Sequence, residues 1–361
     1  MIQIKNFLIC GLLLYLTVAG TGQAASMNTD VTACPSERVV ISGRKVETPV
    51  LTVNSPMVHD PVMAWEKDVW HLYCTGNGVQ HMISKDLKLW EIDTVPVLRP
   101  LPQWTRDSVP GFEHHVWAPD IVQWHGQWWL TYACSTFGKN TSAIGLMSSP
   151  SLDRAHWTDH GCVVASKKGR DNWNAIDPNI IIDDSDRPWL TFGSFWDGIQ
   201  LVPLDESLHI PEGKSPVTIA RRYAPGASGQ SANPTSKDAG TNAIEAPFVY
   251  YRDGWYYLFV SWDYCCRGAQ SNYRVAYGRS RSVEGPYLDH EGRPMTEGGG
   301  TVLLQGDGTV YEAAGHCAVY DDPNVPLQAL LICPGYRAAN GAPILVLRSL
   351  CFTEDGWIRV E

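Results

Sequence analysis

Five segments of this chain open in nearly the same way. They begin near Val58, Trp117, Ile176, Ile244 and Gly315, and read VHDPVMAWEKDVWHLYCTGNG, WAPDIVQWHGQWWLTYACSTFG, IDPNIIIDDSDRPWLTFGSFW, IEAPFVYYRDGWYYLFVSWDY and GHCAVYDDPNVPLQALLICPGY. In the first four a small or acidic residue is followed by Pro, a few apolar residues, a polar turn and an aromatic-rich strand. A strand-built repeat of about 60 residues is a β-propeller signature: each repeat makes one blade, and the blades ring a common axis. The fold class expected is therefore all-β, a five-bladed β-propeller in a single domain. Radial repetition brings the same position of every repeat to one axial face, so residues far apart in sequence meet there.

The bulk properties agree. Five four-stranded blades use most of 361 residues, and 15 Trp, 15 Tyr and 32 Gly with only 18% charged residues suit short twisted strands joined by tight turns. A formal charge of −10, with no run of Lys and Arg, excludes a nucleic-acid surface. The first 24 residues are of another kind. Lys5 is their one charge, FLICGLLLYLTVAG is apolar, and Gly22-Gln23-Ala24 places small residues at a cleavage site. Residues 1–24 are thus expected to be a signal peptide, and 25–361 the propeller of a secreted or periplasmic protein. The apolar run is short for a membrane span of about 20 residues, and no comparable run follows. A monomer without a membrane span is expected. Cleavage would leave cysteines at 34, 74, 134, 162, 265, 266, 317, 333 and 351, an odd number. Contexts such as TYACS and LLICPG read as buried small apolar residues. The state of the adjacent Cys265 and Cys266 is left open by the sequence.

Along the chain, 25–50 reads as a polar lead-in with one strand. Blade one covers 51–96, with HLYCTG as an inner strand, and 97–115 is a Pro-rich connection. Blades two to five cover 116–165, 170–220, 243–300 and 301–361. Between blades three and four, YAPGASGQSANPTSKDAGTN (223–242) is a loop lying directly before Glu245, where it is placed to rim a cleft.

The repeat starts carry the chemistry. Asp60, Asp177 and Glu245 stand at or beside the matched position, with Ala118 there in blade two and His316 in blade five. A lone Asp-Pro is an ordinary turn. Three carboxylates on one axial face are costly to bury unless they act or bind a cation. Sugar hydrolysis uses such a group: one acid protonates the leaving oxygen, one carboxylate activates water or attacks carbon, and a third keeps the acid's pKa high. Trp117, Phe137, Trp173, Phe195 and Trp196 fall near the repeat starts, where their rings would stack on sugar faces. His316 on the axis would hold a hard, hydrated ion such as Ca²⁺ rather than zinc, which lacks nitrogen and sulfur partners here.

The ordered set VHDP (58–61), WAPDI (117–121), FGKNTSAIGL (137–146), WNAIDPNI (173–180), GSFWDGI (193–199), AIEAPF (243–248), VSWDYCCRG (260–268) and GRSRSVEGPY (278–287) resembles the arabinanases of glycoside hydrolase family 43, of the endo-1,5-α-L-arabinanase type. The resemblance covers about 55–361. It implies a five-bladed propeller that is a single catalytic domain, an inverting mechanism, and arabinan or arabino-oligosaccharide as substrate. By motif, Asp60 becomes the general base, Glu245 the general acid, and Asp177 the residue that tunes and orients the acid. The substrate-binding side chains expected are His59, Trp117, Phe137, Asn174, Ser194, Phe195 and Trp196, and His316 is expected beside a Ca²⁺ or another hydrated cation on the axis. Two features depart from the family pattern. Ala313-Ala314-Gly315-His316 replaces a Gly-Pro-Gly-His-like run, and the loop 223–242 is long, which bears on endo against exo action. Alternatives are an exo-acting arabinanase, an α-L-arabinofuranosidase or β-xylosidase on the same fold, or an inactive sugar-binding propeller.

Overall fold

A computed structural model describes residues 40–42, 51–152, 156–227, 239–325 and 328–361. The expected signal peptide, Cys34 and the middle of the 223–242 loop lie outside them. Five antiparallel sheets make five blades. Their innermost strands are Val62–Glu66, His115–Trp124, Asn179–Ile182, Ile244–Arg252 and, in blade five, Tyr311–Ala314 with Ala318–Asp321. Each adjoins the next in ring order, and blade five adjoins blade one, which closes the propeller.

Every blade runs from the axis outward in chain order, except that the outermost strands of blades one and two come from upstream. Blade four shows the plan: Ile244–Arg252 pairs with Trp255–Trp262, then Arg274–Ser280, then Thr301–Leu304. The polar turn of the repeat is a two-residue hairpin. Lys67 and Asp68 in blade one, His125 and Gly126 in blade two, and Asp253 and Gly254 in blade four all have φ between 48° and 75°. Positive φ at both central residues is the twist-matched type I′ geometry, which Asp, Asn and Gly tolerate best.

The sequence boundaries need four corrections. In blade one the innermost strand is Val62–Glu66, and Val69–Cys74 is second. Blade four reaches Leu304, because Thr301–Leu304 forms its outer edge. The 97–115 connection contains a helix, Gln103–Ser108. The strand expected in the lead-in is Val40–Ser42, but it belongs to blade two, where it pairs with His156–Ser166; Leu51–Val53, in blade one as expected, is that blade's outer edge against Trp90–Ile92. The corrections to strands share one cause. Hydrophobic pattern marks a strand but not its rank from the axis, which the order of pairing decides.

Buried and half-buried polar groups pin the blades to one another. Asp120 of blade two accepts from the backbone N–H of Ile180 (2.7 Å) and the Asn179 amide (3.3 Å) of blade three. The Asn179 Oδ1 in turn accepts from the Val249 N–H of blade four at 2.8 Å. Glu66 of blade one receives the Trp128 indole N–H (2.7 Å), the Ser151 hydroxyl (2.7 Å) and the Leu152 N–H (2.8 Å) of blade two. At the seam, the Tyr320 hydroxyl of blade five accepts from the Met63 N–H of blade one at 2.8 Å. Burial without these partners would carry a full desolvation penalty. Asn179→Ala should therefore lower unfolding free energy by about 2–3 kcal/mol, because it strips the Val249 N–H of its acceptor and Asp120 of a donor. Urea denaturation of variant and parent measures this, and a loss below about 0.5 kcal/mol would contradict the pin.

Candidate active site

At the head of each innermost strand one non-glycine residue adopts a left-handed backbone: Asp60 (φ 52°), Ala118 (40°), Asp177 (55°), Ala246 (53°) and His316 (54°). Four of these precede proline, whose ring disfavours the right-handed region for the residue before it. Each such residue costs about 1–3 kcal/mol. The break in the strand ladder also frees its N–H, and the preceding blade supplies an acceptor in three cases. Ala118 N–H donates to the Thr75 hydroxyl (2.8 Å), Ala246 N–H to Asp177 Oδ2 (3.1 Å), and His316 N–H to the Ser261 hydroxyl (2.6 Å).

This register sharpens the alignment of the acids. Asp60 and Asp177 occupy the left-handed position itself. Glu245 stands one residue earlier, opposite Ser261 in the ladder, with Ala246 in the left-handed position. Asp177, by holding the Ala246 N–H, fixes the backbone next to Glu245. Asp177 is buried, whereas Asp60 and Glu245 are partly exposed. The two carboxylates open to a ligand are thus Asp60 and Glu245.

Their surroundings differ in charge. His316 Nδ1 lies 3.0 Å from Asp60 Oδ1, and the Thr75 hydroxyl donates to Asp60 Oδ2. Burial alone would raise the Asp60 carboxyl, but the His316 cation, His59 and the Thr75 hydrogen bond outweigh it and hold Asp60 well below the usual carboxylate range. Burial would likewise depress His316, yet Asp60, Asp177 and Glu245 together carry it up to about 9. Asp177 is pushed up to about 8, chiefly by burial and then by the Glu245 and Asp60 charges, against the pull of His316. Glu245 is also raised, by burial and by Asp60, although the Tyr273 hydroxyl (2.6 Å), the Ser194 hydroxyl (2.7 Å) and His316 oppose the rise. Asp177 and Glu245 titrate as a pair that retains a proton at neutral pH, while Asp60 is ionised.

The expected ligand-binding residues divide. His59 precedes Asp60, and its ring meets that of Tyr336 at 5.8 Å. Trp117 is half-buried, its indole N–H donating to His115 Nδ1 at 2.9 Å, and Phe137 is 81% exposed. Ser194 bridges to Glu245 through both backbone and hydroxyl. Phe195 and Trp196 both have positive φ (55° and 41°), and the Phe195 ring sits 5.8 Å from Tyr264. Trp196 is buried, and its carbonyl accepts from Asn242 at the end of the long loop. Trp173 lies edge-on to Phe192 at 5.3 Å. Asn174 is buried, accepts from Ser142 (2.7 Å) and donates to the Lys139 carbonyl (3.3 Å); it ties two loops together. Among the described residues no three His, Cys, Asp or Glu converge to cage a metal ion.

Sequence reasoning missed Thr75, Ser261 and Tyr273. Thr75 and Ser261 follow from the ladder register opposite the strand heads. Tyr273 carries no such signal. It reaches Glu245 because Gly315 leaves room: a Cβ there would fall 2.3 Å from the Tyr273 ring. Removing the Tyr273 hydroxyl removes a donor that favours ionised Glu245. Tyr273→Phe should raise the Glu245 pKa, which a carboxyl-resolved NMR titration would detect; an unchanged or lowered pKa would contradict the assignment.

Comparison with known proteins gives a consistent picture. The family model for glycosyl hydrolases family 43 matches residues 47–358. An extracellular exo-α-(1→5)-L-arabinofuranosidase of Cellvibrio japonicus is 40% identical, over 84% of this chain and 86% of its own. An extracellular endo-α-(1→5)-L-arabinanase of Bacillus subtilis is 39% identical, over 88% of this chain and 92% of its own. Among solved structures, an exo-1,5-α-L-arabinanase from a bovine ruminal metagenomic library superposes with a TM-score of 0.77 at 47% identity, covering 85% of this chain and 98% of that one. A Cellvibrio cellulosa α-L-arabinanase complexed with arabinohexaose superposes with a TM-score of 0.78 at 37% identity, covering 85% and 96%.

Proposed function

The chain belongs to glycosyl hydrolase family 43, and from that premise we propose that it is a secreted hydrolase of α-1,5-linked arabinan acting with inversion, probing the polymer internally. The observation that carries this reading is the unequal state of three carboxylates on one axial face: Asp60 held ionised by His316, and a proton kept within the Asp177–Glu245 pair. An ionised carboxylate and a protonated one are what single displacement at an anomeric carbon requires. Glu245, more exposed than Asp177, gives its proton to the leaving oxygen. Asp60 takes a proton from the water that attacks the opposite face. Asp177 stays buried, shares with Glu245 the proton that the pair retains, and holds the neighbouring backbone through the Ala246 N–H. Arabinan as the substrate rests on the relatives' activities and on the arabinohexaose bound by one of them. Export rests on the apolar leader and on relatives named as extracellular.

Release of short products from a chain end is a second reading, favoured by the exo-acting relatives at 40% and 47% identity. Chromatography of early products from linear arabinan separates the two. A ladder of lengths indicates internal cutting, and one short product indicates end-release.

A hydrated divalent cation such as Ca²⁺ fits His316 in only one manner. Nδ1 faces Asp60, so Nε2 would be the protein ligand, with the ring neutral because an imidazolium has no free lone pair, and water would complete a shell of about 6–8. When bound, the ion would take the place of the His316 ring proton as the positive charge beside the axial carboxylates. Chelation should then lower turnover and added Ca²⁺ should restore it; activity indifferent to EDTA overturns the ion. For the reaction itself, Asp60→Asn and Glu245→Gln are each expected to reduce kcat on linear arabinan by about 100-fold or more. Product NMR should show inverted configuration at the anomeric carbon. Wild-type turnover in either variant, or a retained anomer, would refute the roles assigned.

A further inference from the structure

Among the described residues one disulfide exists, between the neighbours Cys265 and Cys266, and six other cysteines are free. It lies in the turn that follows the second strand of blade four, with Cys265 half-buried and Cys266 exposed. Nothing in the proposed reaction uses it, yet its contacts lead to both reactive carboxylates. Cys265 packs against Tyr273, Ala313 and Tyr336. Tyr273 donates to Glu245 at 2.6 Å. Cys266 adopts a left-handed backbone (φ 63°), and its N–H donates to the Tyr336 hydroxyl at 2.9 Å. The Tyr336 ring in turn meets His59, the residue before Asp60, at 5.8 Å.

We propose that the Cys265–Cys266 disulfide is a positioning element for the reaction, a covalent clamp that seats Tyr273 against Glu245 and Tyr336 against His59. Linking adjacent side chains restricts the turn to few conformations. The bonded pair then presents one N–H to Tyr336 and one apolar edge to Tyr273 at the same time. Two separate thiols would leave the left-handed Cys266 without that restraint, and its N–H would no longer be fixed on Tyr336. Cys266 is exposed, which makes the clamp reachable by a dithiol. In that exchange the Cys265–Cys266 bond takes up two electrons and two protons to give two thiols, and the dithiol becomes its cyclic disulfide.

This inference rests on the arabinan-hydrolase reading, and the experiment keeps the two apart. Turnover of linear arabinan by the oxidised, full-length protein is the baseline, and its absence overturns that reading. Treatment with a dithiol without denaturant, with two thiols gained by mass, should lower kcat about five- to tenfold while KM stays within about twofold. Reoxidation should restore kcat. In Tyr336→Phe, where the acceptor is gone, reduction should change kcat by less than it does in the parent. Unchanged kcat after confirmed reduction overturns the clamp. So does a rise in KM alone, which would make the disulfide a binding platform. Equal losses in parent and Tyr336→Phe would overturn the Tyr336 route. Cys265→Ser/Cys266→Ser, compared at a matched thermal midpoint, should reproduce the reduced protein; parent-like kcat in that variant overturns the proposal too.

Discussion

The site depends on a backbone accident repeated five times. A left-handed residue at the head of each inner strand interrupts the ladder and releases one N–H near the axis. The preceding blade captures that N–H with Thr75, Asp177 or Ser261 in three of the five. The same hydrogen bonds that offset the strain therefore join blade to blade, and they leave carboxylates and a histidine gathered at the mouth. Asp177 shows the economy of the arrangement: one oxygen holds the Ala246 N–H, and the group shares a proton with the neighbouring Glu245.

Electrostatics then separates groups of the same chemical kind. Desolvation acts on all three carboxyls, and what distinguishes them is the partner. Asp60 has an imidazolium at hydrogen-bond distance, so its ionised form wins. Asp177 has one backbone N–H and two like charges, so its neutral form gains. Glu245 lies between these extremes, with two hydroxyl donors resisting the rise that burial causes. One axial histidine thus biases the whole group, because it favours charge on the carboxylate it touches more than on the others.

Much of this was legible in the chain. The repeat revealed the all-β ring and set Asp60, Asp177, Glu245 and His316 on one face, since periodic spacing becomes angular spacing in a propeller. The rank of strands within blade one and the edge of blade four were not legible, because pairing order is a long-range property. Asn174 looked like a ligand residue from its motif, and only the structure reveals that Ser142 and Lys139 occupy its amide. Tyr273 was invisible for a related reason: its place beside Glu245 is created by the missing side chain of Gly315, some forty residues on.

The outer strands Val40–Ser42 and Leu51–Val53 reinforce blades two and one, whereas blade five draws all its described strands from residues 311–360. Among the described residues no blade is therefore woven from both ends of the chain. The ring meets itself through side chain and backbone, as in the Tyr320–Met63 bond and the Leu345 N–H on the Pro56 carbonyl at 3.2 Å. Opening the chain between blades three and four would divide no described sheet, whereas opening it between Ser42 and Leu51 would separate the outer strand of blade two from that of blade one.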